Sequence, residues 1–445
     1  MPGTPNTRLQ VLVQEAGWSP AQLARSLRAV AINQGLSVKY SAPTVRRWLE
    51  GRRPRPPAPA LLLECLSRRL GRPITPQEAG LTDIPAPVVN PSWEADPVHK
   101  LNQLLHAELD PDRPSPFDAR HFSVAALMLP REFTFGSPMS PAAEASPAQS
   151  IEGDRLRGMS NLFHSAVEAY GGEHVRAALT AYLARHVMPL LPPHVYSPTH
   201  RDVLSAAAQL TLLLATMCAD SGYQRTAQHY HQIAARLAAD TGDQATLAIV
   251  LRAMATHAYN LGHYGPAVLN LAEHAAVRAR TASPAVQAYT QAHLAVLQAH
   301  HDRHAALAAL DRAQSLHSRV DAAPGPFTTY PAGALHFQRA RALNALGDAA
   351  GAIRALTISL RLRTTDEHRA AALTRAHLAE THLRVGHLDE ALNHWHVFVT
   401  AYPTLNSSRA ASHLQRLGQQ LLPYQRHPQV VALLAQVRLI IRHPD

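Results

Sequence analysis

Apolar residues recur at three- and four-residue intervals along most of the chain, which predicts a succession of short amphipathic helices. Leu9, Leu12 and Val13 share one face of a helix expected over residues 7–16, with Gly17 ending it. Ser19-Pro20-Ala21-Gln22 has the layout of a capping box: a serine cap, proline in the first turn, glutamine three residues on. The helix it opens carries Leu23, Ala24, Leu27 and Val30 and loosens near Gly35. Val45, Trp48 and Leu49 form the buried stripe of a third, short helix. Ser41 is placed to cap that helix through its hydroxyl, Pro43 suits its first turn and Gly51 its exit. A fourth helix is expected over residues 58–70 on Leu62, Leu66 and Leu70, then a turn capped at Thr75-Pro76. These elements predict an all-α N-terminal domain of five helices over residues 1–81.

Periodicity fades between Pro85 and Ser150, and 21 of the 34 prolines fall within the first 155 residues. Residues 82–155 therefore read as a stiff linker with short docking helices, one of them near 98–109. The stretch from Asp118 through Arg120 and Phe122 to Pro130 has the look of a worn twin-arginine export signal. It is internal and lacks the second arginine, so it is expected to be a helix docking on the domain that follows.

From Leu156 an internal repeat sets in, expected to occupy residues 156–445. Gly172, Gly222, Gly262, Gly347 and Gly386 are each followed five residues later by Ala177, Ala227, Ala267, Ala352 and Ala391. Twelve residues after the glycine come Ala184, Ala234, His274, Ser359 and Phe398. His301 stands at the turn of a further unit, with Ala306 and Ala313 at the same offsets. Small residues at such offsets let two antiparallel helices of one hairpin touch closely. The turn-to-turn spacing of 40, 39, 46 and 39 residues from Gly222 to Gly386 exceeds the ~34 of a tetratricopeptide unit. Longer helices are therefore expected, in a helical solenoid whose first helices line a concave face.

Charge changes the picture at one end only. The formal net charge of the chain is +10, and residues 1–80 hold twelve Lys and Arg against four acids. A basic head on a near-neutral body is the electrostatic footprint of nucleic-acid binding. Two cysteines, Cys65 and Cys218, cannot make a disulfide framework, and the N-terminus MPGTPNTRLQ has no apolar signal core. A cytoplasmic protein is expected, with no run apolar enough to span a bilayer.

The basic surplus concentrates in KYSAPTVRRWLEGRRPR, residues 39–55. Arg46 or Arg47, beside Thr44, Ser41 and Lys39 at the start of the third helix, suits base edges in a major groove. Arg52, Arg53 and Arg55 beyond its end suit phosphates. Together with the leucine helix ending in Leu70-Gly71, the LAR of residues 23–25 and the TVRRWLEGRRP of residues 44–54 resemble the helix-turn-helix domain of the Cro/repressor (XRE) class. The connection between the second and third helices, residues 31–40, is longer than that class normally has. Phrases such as NLGHYGPA, ALGDAAGA and VGHLDEA resemble tetratricopeptide repeats. The SWEADP of residues 92–97 and the ADSGYQRTAQHYHQIAARLAADTGD from Ala219 are similar to actinobacterial regulators that pair such a head with a tetratricopeptide body. The resemblance implies double-stranded DNA as partner, a homodimer, and a peptide or small-molecule effector.

On the expected concave face, Arg252, Thr256, Tyr259 and Asn260 cluster in one unit, then Gln291 and Gln298, then Gln338, Arg341 and Asn344, then Glu380 and Arg384. Amides and arginines suit an extended peptide's backbone and carboxylate. As ligand contacts they are expected to be dispensable to the fold. Twenty-eight histidines invite a metal reading, but His229/His231 and His394/His396 point apart on a helix, and His300 and His304 flank a turn. No HExxH, P-loop, GxSxG or dinucleotide glycine pattern occurs, so no enzyme, metal or cofactor is expected. A repeat-built adaptor whose basic head binds protein is the alternative.

Overall fold

A computed structural model describes residues 4–33, 36–70, 74–81, 93–110, 122–130, 151–191, 197–320 and 330–442. Among these residues the fold is all-helical, with no strand. The chain forms two compact units: residues 4–81 with 122–130, and residues 93–110 with 151–442.

The first unit is built on α1 (Thr7–Glu15), α2 (Pro20–Asn33), α3 (Ala42–Leu49) and α4 (Ala58–Leu70). Leu9, Leu23, Leu27, Leu61, Leu62 and Leu66 are fully buried around Val45 and Trp48. Burying each such leucine is worth about 1.5–3 kcal/mol. Local chemistry fixes the helix ends. Gly17, at φ +64°, lets the Trp18 amide reach back to Val13 O at 3.1 Å. The capping box closes both ways: Ser19 N–H donates to Gln22 Oε1 at 2.8 Å and Gln22 N–H to Ser19 Oγ at 3.3 Å. Thr75 caps the last turn through Glu78 N–H at 3.2 Å.

Residues 82–92, 111–121 and 131–150 of the expected linker lie outside the described residues, as does Gly35. The rest of the linker divides between the units. Residues 122–130 belong to the first, which corrects the expectation that they dock as a helix on the second. Phe122, Ala125 and Leu127 are buried, with only a single 3-10 turn at Ala125–Leu127. The physical reason is Glu64, a carboxylate on the buried face of α4 that needs donors there. It accepts from Ser123 Oγ at 2.5 Å, Val124 N–H at 2.8 Å and Arg68 Nε at 2.7 Å. The expected helix near 98–109 forms as α5 (Pro97–Leu109), capped by Asp96, and belongs to the second unit. There Glu108 accepts from Arg176 at 2.7 Å, Thr180 at 3.2 Å and the Tyr230 hydroxyl.

The second unit continues through α6 (Ile151–Tyr170) and α7 (Gly172–Tyr182) into antiparallel pairs. These are α8 (Pro198–Asp220) with α9 (Gln224–Thr241), and α10 (Gln244–Asn260) with α11 (Pro266–Arg278). Next come α12 (Pro284–Gln298) with α13 (Arg303–His317), and α14 (Ala332–Ala345) with α15 (Ala349–Arg361). The series ends with α16 (His368–Arg384) and α17 (Leu388–Ala401), then α18 (Ser408–Gln420) and α19 (Pro428–Arg442). Gly222, Gly262, Gly347 and Gly386 take φ between +83° and +90°. At each, the next amide bonds the carbonyl five residues back, ending one helix and turning into its partner. Ala227, Ala306, Ala352 and Ala391 are fully buried at the hairpin contacts, as are Ala234, Ala313, Ser359 and Phe398.

The register departs from expectation in two units. Gly265-Pro266 delays the start of the helix after Gly262, and the register shifts by one: Val268 and Ala275 are buried in place of Ala267 and His274. At the start, the turn glycine is Gly171, φ +94°, rather than Gly172, and Ala177 is exposed. Both glycines there are forced by close approach. A Cβ on Gly171 would lie 2.6 Å from Asn406 O, and one on Gly172 2.9 Å from the Met217 backbone.

That approach closes the second unit upon itself. Asn406 N–H donates to Tyr170 O at 3.1 Å, and Ser407 Oγ to Asp220 Oδ1 at 2.7 Å. Arg369 on α16 reaches Glu168 of α6 at 2.5 Å and Asp220 at 3.5 Å. One helix, α8, is long and apolar enough to cross a membrane, contrary to expectation. Some 83% of its apolar window is buried inside the unit, packed on α9 and α6.

Histidines sit in these hairpin cores. Burial holds His231, His257 and His293 below their ordinary value, His231 at about 3. Unfolded histidine titrates near 6.5, so below that pH the unfolded chain binds more protons and stability falls. Each such ring costs about 1.4 kcal/mol per pH unit of acidification below 6.5. The thermal midpoint of the full chain should therefore drop steeply between pH 6.5 and 5.5, and less steeply in His231→Phe. A midpoint flat across that range would mean that the rings are protonated or wet in the folded chain.

Candidate functional site

Two sets of side chains were expected to act, one on each unit. In the first unit α3 is held from behind. Its last carbonyl, Leu49 O, accepts from Asn6 N–H at 3.1 Å and from Gln10 Nε2 at 2.9 Å. Trp48 and Val45 are buried beneath it, and Tyr40 meets Trp48 edge-on, ring centroids 5.2 Å apart. Arg28 of α2 donates to Tyr40 O, fixing the extended strand of chain that leads into the helix.

Most described basic residues of this unit fall into two groups, and Arg25 stands exposed on α2 apart from both. Arg8 donates to Gln77 O, Arg28 to Tyr40 O, Arg68 to Glu64 and Arg69 to Ala16 O, so these four support the fold. Lys39, Arg46, Arg47, Arg52, Arg53 and Arg55 are all exposed on or beside α3. Arg47 lies back along its own helix, Nε to Pro43 O at 3.4 Å, which leaves Arg46 the more outward of the pair. Ser41 differs from expectation. It stands at the cap position with extended backbone, but its hydroxyl pairs with Thr44 Oγ1 at 3.1 Å and caps no amide. Two short hydroxyls one turn apart satisfy each other, so the first-turn N–H groups keep their capacity to meet an outside acceptor.

In the second unit α10, α12 and α14 pack in succession and α18 packs beside α16. The eleven expected residues lie on α10, α12, α14 and α16. The structure pairs most of them with each other or with the next helix. Arg252 donates to the Tyr289 hydroxyl at 2.8 Å and stands 3.8 Å from that ring. Arg341 stacks on Tyr259 at 4.3 Å and donates to Asn260 Oδ1 at 2.8 Å. Asn344 donates to Thr381 at 3.2 Å and accepts from Arg384. Thr256 turns its hydroxyl to Arg252 O on its own helix at 2.8 Å. Glu380 accepts from His413 at 2.8 Å and Arg416 at 3.0 Å. Burial pushes Glu380 up, but those donors together with His377 outweigh it and hold the carboxyl at about 2. Gln291, Gln298 and Gln338 differ: each has a buried carbonyl oxygen that makes no hydrogen bond.

These pairings correct the expectation that the face is dispensable to the fold, because they tie successive hairpins together. Sequence reasoning missed Tyr289, His293, His413 and Arg416, which have no signal beyond helical spacing. It also missed a cleft of about 610 Å³ lined by Glu152, Arg155, Tyr182 and His186, beside the π-helical turn Leu183–Val187. Among the described residues, no group of three His, Cys, Asp or Glu is placed to hold a metal ion.

Residues 9–82 match the family model of the SP15 N-terminal domain. The similarity covers the first unit alone. No curated protein matches the chain.

The Asn260–Arg341 bond spans 81 residues and links α10 to α14. Removing Asn260 leaves a half-buried guanidinium short of an acceptor, at a cost of about 1–3 kcal/mol. A double-mutant cycle of Asn260→Ala and Arg341→Met, read by denaturant unfolding, should give a coupling of that order. Additive losses would mean that the two side chains are independent in solution.

Proposed function

We propose that this chain is a DNA-binding transcriptional regulator of the cytoplasm, with a helix-turn-helix head of the XRE type and a tetratricopeptide-like body. The observation that carries the reading is the sorting of the basic residues. Arg8, Arg28, Arg68 and Arg69 each donate to an acceptor of the first unit's own fold, whereas six exposed basic residues gather on one short helix, its approach and its exit, backed by Trp48 and Val45. A rigid helix with an open N-terminus, an outward Arg46 and a run of arginines behind it fits a major groove flanked by phosphates. The alternative of a protein-binding adaptor makes no use of this separation between one base-reading and several phosphate-reaching positions.

Arg46→Ala should then cost about 1–3 kcal/mol on the preferred site and relax sequence choice. Arg53→Ala should weaken all sequences alike and lower the salt slope by about one. Binding selections and salt titrations on the full chain decide it; wild-type behaviour from both variants would defeat the assignment of α3.

A homodimer belongs to the same reading, because one small head binds weakly and two half-sites add affinity. The exposed stripe Val431, Ala435 and Leu439 on α19 supports a body-to-body contact. Val431→Glu with Leu439→Glu should convert a sedimenting dimer to monomer. Dimers that persist in the double variant would place the interface elsewhere. The effector site is the face of α10, α12 and α14, where unpaired polar atoms remain among paired ones.

A further inference from the structure

Polar side chains buried without partners are uncommon in a folded protein, and each calls for an explanation. Several converge here at one place on the groove face. His293 of α12 is fully buried beside Gln338 and the Ala255 backbone, yet neither ring nitrogen closes a well-formed hydrogen bond. Arg252 Nε is likewise buried without a partner, and Gln338 Oε1 meets the His293 ring only in poor hydrogen-bond geometry. Around them stand two guanidinium groups. Arg252 is 8% exposed and held by Tyr289, one turn before His293 on α12. Arg341 stacks on Tyr259, whose ring meets His293 edge-on at 6.1 Å.

The charge at this place is one-sided. Burial lowers the Arg341 guanidinium from its usual value, Tyr259 opposes it and Arg252 adds to it, and both arginines add to the burial that keeps His293 neutral. Among the described residues no carboxylate forms an ion pair with either arginine. Elsewhere in the unit such pairs are present: Arg176 with Glu108, Arg369 with Glu168, Arg416 with Glu380. One buried and one half-buried guanidinium beside a neutral imidazole are an arrangement that a compact oxyanion completes. Guanidinium forks match the two or three oxygens of a carboxylate or phosphate, and the charge-assisted bonds are strong when desolvated.

We infer that the groove binds a small oxyanion, a carboxylate or phosphate group, between Arg252 and Arg341, with His293 as third donor. This deepens the effector reading above and rests on it only for its biological use; anion binding is measured without DNA.

The test is isothermal titration of the full chain with inorganic phosphate and, separately, with succinate, at constant ionic strength in chloride. Binding of at least one at millimolar or tighter Kd is expected, and the preferred probe tells phosphate from carboxylate. Arg252→Gln with Arg341→Gln should weaken it at least ten-fold, and Arg252→Lys, which keeps the charge but loses the fork, should weaken it less. His293→Phe keeps an aromatic ring in the core and should also weaken it. A chain with Arg46, Arg47, Arg52 and Arg53 changed to Gln should keep the isotherm, since the head supplies none of the donors. The inference is overturned if neither anion binds up to tens of millimolar, if the arginine variants bind as wild type, or if the head variant loses binding. Anion binding in a chain that selects no DNA would sink the regulator reading and leave this one standing.

Discussion

The distance between two packed helices is set by the side chains at their crossing, and this constraint shapes the whole second unit. Ala227, Ala306, Ala352 and Ala391 sit fully buried where the hairpin partners touch. Large side chains such as Tyr230, Trp395 and Phe398 are buried beside these small residues. Apolar area is buried between hairpins as well as within them, so no single pair stabilises the unit. The same geometry brings first helices side by side at short range. Their polar residues cannot all face water, and they pair from helix to helix: Asn260 with Arg341, Asn344 with Thr381, Glu380 with His413. A groove whose polar lining also serves as inter-hairpin glue follows from the alanines.

In the first unit the governing contact is Trp48 against the leucine core. It fixes the rotation of α3, and with it which arginines face out. Arg28 reinforces that rotation by holding the approach to α3 through Tyr40 O. Glu64 plays the matching role at the opposite end of the chain's logic. A carboxylate buried by α4 is tolerable only with donors around it, and a segment some sixty residues later supplies two of the three.

Local chemistry was legible in the sequence and long-range closure was not. The capping box at Ser19 and Gln22, the left-handed turn glycines, the buried stripe of α3 and the bounds of α4 all follow from residues within one or two turns of each other. Ser41 misled because Thr44, a competing hydroxyl, stands where a free amide was expected. The Gly262 unit slipped because Gly265-Pro266 delays the start of the next helix, which no offset count anticipates. The Arg369 contact with Glu168 joins residues 201 apart, and no periodicity carries that information. The eleven groove positions could be placed on their helices by counting back from turns. Their mutual pairing could not, because it depends on how far each hairpin rotates over the last. The charge surplus of the head was plain in the composition, but its division into arginines that tie the fold and arginines gathered about α3 needed the carbonyl acceptors Gln77 O, Tyr40 O and Ala16 O.

The groove ladder is uneven, and the unevenness has a direction. Toward α16 and α18, Glu380 is saturated by His413, Arg416 and His377, and its depressed pKa marks a settled ionic cluster. On α10, α12 and α14, Arg252 Nε, His293 and three glutamine carbonyls remain unsatisfied. Each such atom costs about 1–3 kcal/mol relative to a bonded one. A ligand that supplies the missing partners recovers that free energy only in the state that brings α10, α12 and α14 into this register, which is the differential affinity a two-state switch requires. Asn260 and Arg341 couple α10 to α14 across the same spot, so the hairpins there do not rotate independently of one another.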